Sequence, residues 1–235
     1  HYRRNVWLLL FGLCHALLLW TGDILTAYAL CAFWVYWLRK LKPMRLLIIG
    51  LIVMAVSPAL LWLGGATIDL AGPEAVEELM LDWQPTAAMI QDDLDTYRGS
   101  WLTQMESRIP GTVEMLSTAF LFWSLWRAGG LMLVGMALYK WGVLTAKRAQ
   151  RFYMGMIILG FGLGIPIVAY GLTQNLAQGW TLIYSKFGAG SQFNYWGSLL
   201  VSSGYIGVIM LISQRGVFAK AQDALAAVGR MALTN

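Results

Sequence analysis

The sequence predicts an all-α, polytopic transmembrane bundle of about six spans. Of its 235 residues, 58% are hydrophobic and only 12% are charged, a balance outside the range of soluble domains. Several apolar runs approach the ~20 residues that a helix needs to cross a bilayer. The charges are sorted by position, with ten of the twelve acids between Asp69 and Glu114 and most Lys and Arg beside apolar runs. Such sorting is typical of membrane orientation and argues against a nucleic-acid partner.

The first expected element is a helical hairpin, Val6 to Leu38, whose two apolar arms meet at Trp20-Thr21-Gly22-Asp23. Each arm has about 15 predominantly apolar residues, roughly 22 Å of helix, whereas a bilayer core is ~30 Å thick. Basic residues flank both outer ends, so these ends are expected on the same side of the membrane. The turn is then expected below the far surface, where irregular backbone must face protein or a wet cavity. The turn is therefore a candidate site.

The rest of the chain is predicted to add four crossings and one surface helix. The crossings are expected at residues 46–63, 112–144, 152–172 and 192–213. Between the first two lies an acidic segment, 64–110, which is expected outside the cell because it carries few Lys or Arg residues. Apolar residues at helical spacing predict one extracytoplasmic amphipathic helix in it, 86–108. All elements are expected to form a single transmembrane domain, 1–235.

Residues 112–144 exceed one span, which leaves open whether they cross the membrane once or twice. The apolar run is interrupted from Trp126 to Gly130. Two full spans would place Lys140 and the basic segment 145–151 outside, against the positive-inside bias. A single crossing from about Gly129, preceded by a half on the outer surface, is therefore favoured.

Glycines at 160, 162 and 164 resemble the beginning of a nucleotide-binding loop. Such a motif indicates nucleotide binding only after a strand, and here it lies within an apolar span. The favoured interpretation is close helix packing at Gly160 and Gly164, followed by a kink at Pro166.

His15 and Asp23 are the candidate catalytic residues. A histidine inside a membrane span is rare and is a functional candidate by default. It can act as a general base while a carboxylate such as Asp23 orients its ring. Structural roles stay open for both, because histidine also joins membrane helices by hydrogen bonds and Asp23 is placed to cap the following helix.

Basic residues supply the candidate binding groups. Arg4 precedes His15 by eleven residues, three helical turns, so both lie on one helix face. Together with Arg39 and Lys40 at the same inner end, Arg4 is placed to hold an anionic cofactor whose reactive group reaches His15.

Arg98 and Arg127 are the candidate substrate-binding residues. For Arg98 the alternative is an ion pair with nearby carboxylates, a role that is also expected for Arg108. For Arg127 the alternative is a side chain that snorkels to the membrane interface.

Five stretches spread along the chain form a set that is more specific than any of its members. They are Phe11-Gly-Leu-Cys-His15-Ala, Trp20-Thr-Gly22-Asp23-Ile-Leu with Tyr28-Ala-Leu, Tyr97-Arg98-Gly99-Ser100 with Arg108, Gly130-Leu-Met-Leu-Val-Gly135-Met-Ala-Leu-Tyr139-Lys140 and Val228-Gly229-Arg230-Met231-Ala-Leu-Thr-Asn235. With this set, the chain resembles the YeiB-type family of bacterial inner-membrane proteins. The resemblance implies further spans on the N-terminal side and a continuation past Asn235, so the sequence is expected to be part of a larger bundle.

The same resemblance implies a distant similarity to transmembrane acyltransferases, such as the lysosomal heparan-glucosaminide N-acetyltransferases. Those enzymes carry acetyl groups from cytosolic acetyl-CoA to an acceptor across the membrane. Their catalytic histidine belongs to an N-terminal span that is not represented here, so the resemblance does not equate His15 with it. Because those enzymes use acetyl-CoA, the resemblance implies acyl-CoA, acetyl-CoA in particular, as the cofactor.

Three function classes remain open. The leading one is a membrane acyltransferase that moves an acyl group from cytosolic acyl-CoA to a lipid, a sugar or another acceptor on the extracytoplasmic side. A transporter or flippase is the first alternative, because spans broken by glycine and proline can flex or line a path. A non-catalytic scaffold is the second. No metal is expected, since Cys14 and Cys31 lack the spacing of metal ligands, and the oligomeric state is open.

The lipid bilayer is the expected partner and the bacterial inner membrane the expected location. Cytoplasmic segments are expected at 1–4, 39–45, 145–151 and 214–230, and extracytoplasmic ones at 64–110 and 173–191. Every strongly basic segment then lies on one side of the membrane.

Overall fold

The structure, a computed structural model, describes residues 1–234 and the side chains of residues 1–230. Within that range the chain forms ten α-helices and no strand, which confirms the all-α prediction. The helices are α1 (Tyr2–Leu18), α2 (Leu25–Val35), α3 (Pro43–Ala66), α4 (Pro73–Trp83), α5 (Ala87–Arg98), α6 (Trp101–Glu114), α7 (Leu125–Lys140), α8 (Gln150–Ala177), α9 (Ala189–Arg215) and α10 (Ala219–Thr234). Short 3-10 segments cover Tyr36–Lys40 and Ile68–Ala71, and π-helical segments cover Met115–Ser124 and Ile183–Phe187.

Four stretches of helix in the described chain are long and apolar enough to cross a bilayer, as expected of a membrane protein. They are Pro43–Ala66, Trp101–Lys140, Gln150–Ala177 and Ala189–Arg215. This span count differs from the predicted six by the two arms of the hairpin, which have 17 and 11 helical residues. At 1.5 Å per residue the arms are about 26 Å and 17 Å long, less than the ~30 Å hydrocarbon core.

The described chain divides into two compact units. The first comprises His1–Ala137 with Thr181–Gly188, and the second comprises Leu138–Trp180 with the chain from Ala189. All candidate site residues belong to the first unit. The single transmembrane domain over 1–235 stays a prediction.

In the first unit, α1 and α2 form the predicted hairpin, and small or polar residues let them approach closely. A Cβ atom at Gly12 would lie 2.6 Å from both the amide nitrogen and the hydroxyl oxygen of Thr26, so this position requires glycine. Two turns earlier in α1, Asn5 donates a hydrogen bond to the Ala29 carbonyl at 2.8 Å. Small residues and interhelical hydrogen bonds are the usual means of joining helices in a membrane.

Residues 101–140 form one continuous helix, in which α6, a π-helical segment and α7 follow each other without a turn. The interruption that the sequence predicts before Gly130 is therefore not a break. Its glycines serve packing instead. A Cβ atom at Gly129 would run into the Trp34 ring, and one at Gly130 would lie 2.7 Å from the Gly50 carbonyl oxygen. A second crossing would need a turn that this helix does not contain.

The polar segment 64–110 is more helical than predicted. In place of one amphipathic helix over 86–108 it contains α4, α5 and the beginning of α6. The break between α5 and α6 follows Gly99, where the Ser100 hydroxyl accepts a hydrogen bond from the Thr103 amide at 3.2 Å. Such a cap stabilises a new helix start by about 1 kcal/mol. The helical spacing of the apolar residues continues through Gly99 and Ser100, so it predicts one helix where the structure has two.

In the second unit, α8 and α9 pack along a seam of glycines. A Cβ atom at Gly160 would lie 2.5 Å from the amide nitrogen of Gly204 and 2.6 Å from the carbonyl oxygen of Leu200. One at Gly164 would lie 2.8 Å from the amide nitrogen of Val201. These distances confirm the prediction that Gly160 and Gly164 serve close helix packing.

The core of the second unit gathers around Tyr153, which is buried with Val143 and Leu211. The Tyr153 hydroxyl donates to the Val143 carbonyl at 2.9 Å and accepts from the Arg148 amide at 3.2 Å. Gln214 donates to the Arg148 carbonyl at 2.6 Å. These bonds fasten the basic turn after α7 to α8 and α9.

Candidate functional site

The turn between α1 and α2 closes one end of the hairpin. α1 ends at Leu18, and the amides of Leu19 and Trp20 both donate to the His15 carbonyl at 2.9 Å. The Trp20 ring covers Gly22, where a Cβ atom would lie 2.5 Å from the indole, so a larger residue there would displace the ring. The same ring contacts the His15 imidazole edge-on, with centroids 6.3 Å apart. The turn therefore brings the start of α2 back to His15.

His15 and Asp23, the two candidate catalytic residues, lie in contact. His15 Nδ1 is 3.0 Å from Asp23 Oδ1. The Asp23 side chain is 2% exposed, whereas the His15 side chain is 36% exposed. Because an ionised carboxylate only accepts hydrogen bonds, Nδ1 carries the proton and donates it to this bond. In the neutral imidazole Nε2 then holds the lone pair, and no hydrogen bond to Nε2 occurs within the described residues.

The second oxygen of Asp23 accepts a hydrogen bond from the Thr26 amide at 2.7 Å, in the first turn of α2. This is the capping role expected from the sequence. Burial raises the pKa of the Asp23 carboxyl, but hydrogen bonds from Thr26, Leu25 and His15 outweigh burial and hold that pKa below its ordinary value. The carboxylate is therefore ionised at neutral pH, and it serves both the helix start and the imidazole.

Three side chains of α6 cap the last carbonyls of α1. Trp101 Nε1 and Arg108 Nη1 donate to the Leu18 carbonyl at 3.1 and 2.8 Å. Thr112 Oγ1 donates to the Ala16 carbonyl at 3.0 Å. Carbonyls at a helix C-terminus lack intrahelical partners, so these bonds hold the end of α1 that carries His15. Sequence reasoning missed this role, since the partners are 83 to 96 residues apart and share no local pattern.

Arg108 does not form the ion pair that the sequence predicts for it. It is 6% exposed, and besides the Leu18 carbonyl it donates to Gln104 Oε1 at 2.7 Å. The prediction is wrong because α6 turns this side chain inward onto α1. The five donors of a guanidinium suit several neutral acceptors at once, and this compensates for its burial.

Thr112→Val is expected to lower the free energy of unfolding by about 1–2 kcal/mol. Valine keeps the shape of threonine but removes the hydroxyl, which leaves the buried Ala16 carbonyl without its side-chain partner. Thermal unfolding of the purified protein in detergent, followed by circular dichroism, measures the loss. Thr118→Val, at an exposed position, is the control and should change stability by less than about 0.5 kcal/mol. Equal losses in both variants would contradict the capping role.

The three candidate cofactor-binding residues lie at the other end of the hairpin. Arg4 is exposed on α1, eleven residues and about 16 Å along the helix from His15. Arg39 and Lys40 are exposed in the 3-10 segment after α2. The Arg39 guanidinium lies 3.6 Å from the Tyr36 ring centroid and donates to the Tyr36 carbonyl at 3.0 Å. Within residues 1–230, no group of three or more His, Cys, Asp or Glu side chains is placed to hold a metal ion.

A cavity of about 430 Å³ lies between the start of α2 and the junction of the π-helical segment with α7. Asp23 lines it on one side, and Met115, Trp123 and Arg127 line it on the other. The Arg127 guanidinium lies 5.7 Å from the Trp123 ring centroid. Of the two candidate substrate-binding residues, Arg127 therefore faces this cavity. Arg98 does not line it and is exposed at the last residue of α5.

The π-helical segment, Met115–Ser124, is the other feature that sequence reasoning missed. Its junction with α7 is held by side chains, since Cys31 Sγ donates to the Leu125 carbonyl at 3.7 Å and Trp126 Nε1 donates to the Leu121 carbonyl at 2.6 Å. Extended π-helix is rare, and π-turns occur frequently at functional sites. The apolar residues of this segment give no signal that separates it from an ordinary helix.

Comparison with known proteins gives matches to proteins of unknown function. Residues 138–235 match the family described as "Protein of unknown function (DUF418)", and this match begins where the second unit begins. The chain is 28% identical over 240 residues to "Uncharacterized protein YeiB" of Escherichia coli (strain K12), an alignment that covers 99% of this chain and 58% of YeiB. It is 56% identical over 48 residues to "Uncharacterized protein YxaH" of Bacillus subtilis (strain 168), 20% of this chain and 12% of YxaH. No solved structure matches the chain.

The similarity to YeiB extends over nearly the whole chain, both units included. The chain spans only 58% of the length of YeiB, so any activity of the whole relative bears on this chain as a proposal. The matches confirm the resemblance expected from the motifs: the chain is similar to YeiB over nearly its whole length, and residues 138–235 match the DUF418 family.

Proposed function

We propose that this protein is a membrane acyltransferase that moves an acyl group from cytosolic acyl-CoA, acetyl-CoA in particular, to an acceptor on the extracytoplasmic side. The observation that carries the proposal is the 3.0 Å bond between His15 Nδ1 and Asp23 Oδ1. It leaves Nε2 as the basic nitrogen, on a side chain that is 36% exposed. An imidazole oriented by a carboxylate is the general-base arrangement that recurs in acyl-transfer enzymes.

In the proposed reaction, His15 Nε2 takes the proton of an acceptor hydroxyl or amine. The acceptor oxygen or nitrogen forms a bond to the thioester carbonyl carbon, and the carbon–sulfur bond breaks. The CoA sulfur leaves with the electron pair of that bond and takes the proton back from the imidazolium. Asp23 holds the ring in the required tautomer and stabilises its charged form. The step exchanges a thioester for an ester or amide, so it needs no oxidant or reductant.

The proposed donor site is the basic end of the hairpin. Arg4, Arg39 and Lys40 are exposed cations at that end, and phosphate groups of CoA are suitable partners for them. The part of the acyl-CoA molecule that ends in the thioester then extends along α1 towards His15.

The proposed topology rests on the positive-inside bias. In the bacterial inner membrane, residues 1–4, 39–45, 145–151 and 214–230 are then cytoplasmic, and 64–110 and 173–191 are extracytoplasmic. The donor end of the hairpin faces the cytosol in this arrangement. The acceptor, a lipid, a sugar or another group, approaches from the other side.

Arg4→Gln is expected to raise the KM for acyl-CoA about tenfold and to leave kcat nearly unchanged. The variant removes one charge-assisted contact to phosphate, and 1.4 kcal/mol corresponds to a factor of ten. Arg3→Gln is the matched control, since Arg3 is an exposed neighbour on another face of α1. Initial rates over a range of acyl-CoA concentrations measure KM and kcat for both variants. An equal KM for Arg4→Gln and the natural protein would remove Arg4 from the donor site.

The proposal is tested with the full-length protein reconstituted in phosphatidylcholine–phosphatidylglycerol liposomes. The probes are acetyl-CoA and longer acyl-CoAs labelled in the acyl group, with an aminosugar added as a soluble acceptor. We expect the label to leave CoA and to appear in the lipid or the aminosugar fraction. If no donor binds and the label stays on CoA, the protein is not an acyltransferase for these donors, and the proposal fails.

A transporter or flippase is the second candidate function. The observation that favours it is the cavity beside the π-helical segment, because an irregular helix that lines a cavity is a feature of transporter sites. Movement of a fluorescent phospholipid between the leaflets of the same liposomes, without any acyl donor, would support this function over acyl transfer.

A further inference from the structure

The cavity between α2 and α7 has a wall of mainly apolar side chains. Ile24, Ala27, Leu131 and Met132 contribute to its lining, and Met115 adds a second methionine. Methionine is flexible and polarisable, so it adapts to apolar ligands of irregular shape. An apolar group is therefore the main part of any ligand that fits the cavity.

Two charged side chains, Asp23 and Arg127, contribute to the lining. Both carboxylate oxygens of Asp23 are engaged by the protein, one by His15 and the other by the Thr26 amide, and the side chain is 2% exposed. Arg127 contributes a cation, and its guanidinium lies near the Trp123 ring at the same wall. A negative group on the ligand complements this cation, whereas the buried carboxylate offers no free oxygen to a positive one.

The size of the cavity limits the ligand further. Its volume of about 430 Å³ lies in the lower part of the range for small-molecule sites, roughly 300–1,000 Å³. One acyl chain with its head group suits this volume better than a phospholipid with two chains. The surrounding bilayer is a ready source of such molecules.

We propose that this cavity binds a single-chain anionic amphiphile, with its carboxylate or phosphate at Arg127 and its chain against Met115, Leu131 and Met132. Binding itself does not depend on catalysis by His15. The view that the bound amphiphile is the acyl acceptor or the transferred acyl group rests on the proposed function. Asp23 lines this cavity and also belongs to the proposed catalytic pair, so the two proposed sites are neighbours.

Equilibrium binding of three tritiated probes to the purified full-length protein in dodecyl maltoside tests the proposal. Palmitate carries a carboxylate, lysophosphatidic acid carries a phosphate, and lysophosphatidylcholine carries no net charge. We expect saturable binding of palmitate, of lysophosphatidic acid or of both, at least tenfold tighter than that of lysophosphatidylcholine. The anionic probe that binds more tightly shows whether the site prefers a carboxylate or a phosphate head group. Equal affinities for all three probes would overturn the proposal.

Arg127→Gln is expected to raise the Kd of the preferred anionic probe about tenfold and to leave that of lysophosphatidylcholine unchanged. Arg45→Gln is the matched control, since Arg45 is exposed at the start of α3 and does not line the cavity. An unchanged Kd in Arg127→Gln would overturn the proposal.

Ala27→Phe keeps Arg127 but fills part of the cavity, so it is expected to weaken the anionic probe at least fivefold. Ala32→Phe, further along the same helix and outside the cavity lining, is the control for a general effect of added volume. Size-exclusion elution and circular dichroism identify any variant that fails to fold. Equal binding by the two phenylalanine variants would place the ligand outside the cavity. If the natural protein binds an anionic probe but transfers no acyl group, only the proposed function is refuted. If it transfers an acyl group but binds no anionic probe, only the proposed binding site is refuted.

Discussion

His15→Ala is expected to lower the rate of acyl transfer by about 10²–10⁴-fold, the usual contribution of a positioned general base. The Kd for acyl-CoA should stay unchanged, because the proposed donor residues lie at the other end of the hairpin, with Arg4 about 16 Å along α1 from His15. Initial rates and equilibrium binding of labelled acetyl-CoA measure the two quantities separately. Cys14→Ala, at the neighbouring exposed position, is the control and should keep the natural rate.

Asp23→Asn separates the two roles of this carboxylate. An asparagine oxygen can still accept the Thr26 amide, so the start of α2 should form as before. The amide group can donate to His15 Nδ1, however, which shifts the proton to Nε2 and removes the basic nitrogen from its position. We expect a large fall in kcat with little change in stability. A fall in stability alone, with kcat preserved, would show that Asp23 only caps the helix.

Gly160→Ala is expected to destabilise the pair of α8 and α9 by about 3 kcal/mol or more, at the upper end of the cost of overpacking. The added Cβ atom would lie 2.5–2.6 Å from backbone atoms of Gly204 and Leu200. Backbone cannot change rotamer to make room, so the two helices must separate. The midpoint of thermal unfolding in detergent, followed by circular dichroism, measures the loss.

Gly155→Ala on the same helix is the matched control. A Cβ atom there meets no other atom within 4 Å, and alanine favours helix over glycine by roughly 0.5–1 kcal/mol. The control should therefore keep or raise the unfolding midpoint. Two equal losses would mean that the close approach at Gly160 does not determine stability.

The hairpin was predictable because its signals are local. Apolar runs, flanking basic residues and the Gly-Asp pair at the turn all lie within residues 1–45. His15 and Asp23 are only eight residues apart in sequence, and a short turn between antiparallel helices brings them into contact. Gly160 and Gly164 were predictable for a related reason, since small residues four positions apart typically line a helix contact.

The support for the hairpin was not predictable, because it comes from remote residues. The sequence assigned Arg108 to the surface helix 86–108 and Thr112 to the next segment, 112–144, and only the folded chain shows both on α6 at the end of α1. The π-helical segment has no signature in composition or spacing, so the cavity that it lines was also invisible. The number of spans differed because apolarity predicts burial in a membrane, whereas helix length decides whether a segment crosses it.

The most direct test of the central claim is the rate of labelled acyl transfer by His15→Ala with and without added imidazole. Removal of the side chain leaves space beside the Asp23 carboxylate, which free imidazole can occupy. If the His15–Asp23 pair is the reacting centre, the variant alone transfers about 10²–10⁴-fold more slowly than the natural protein and regains transfer in a saturable manner as imidazole is added. Transfer by His15→Ala at the natural rate without imidazole, or no transfer by the natural protein, would contradict the claim.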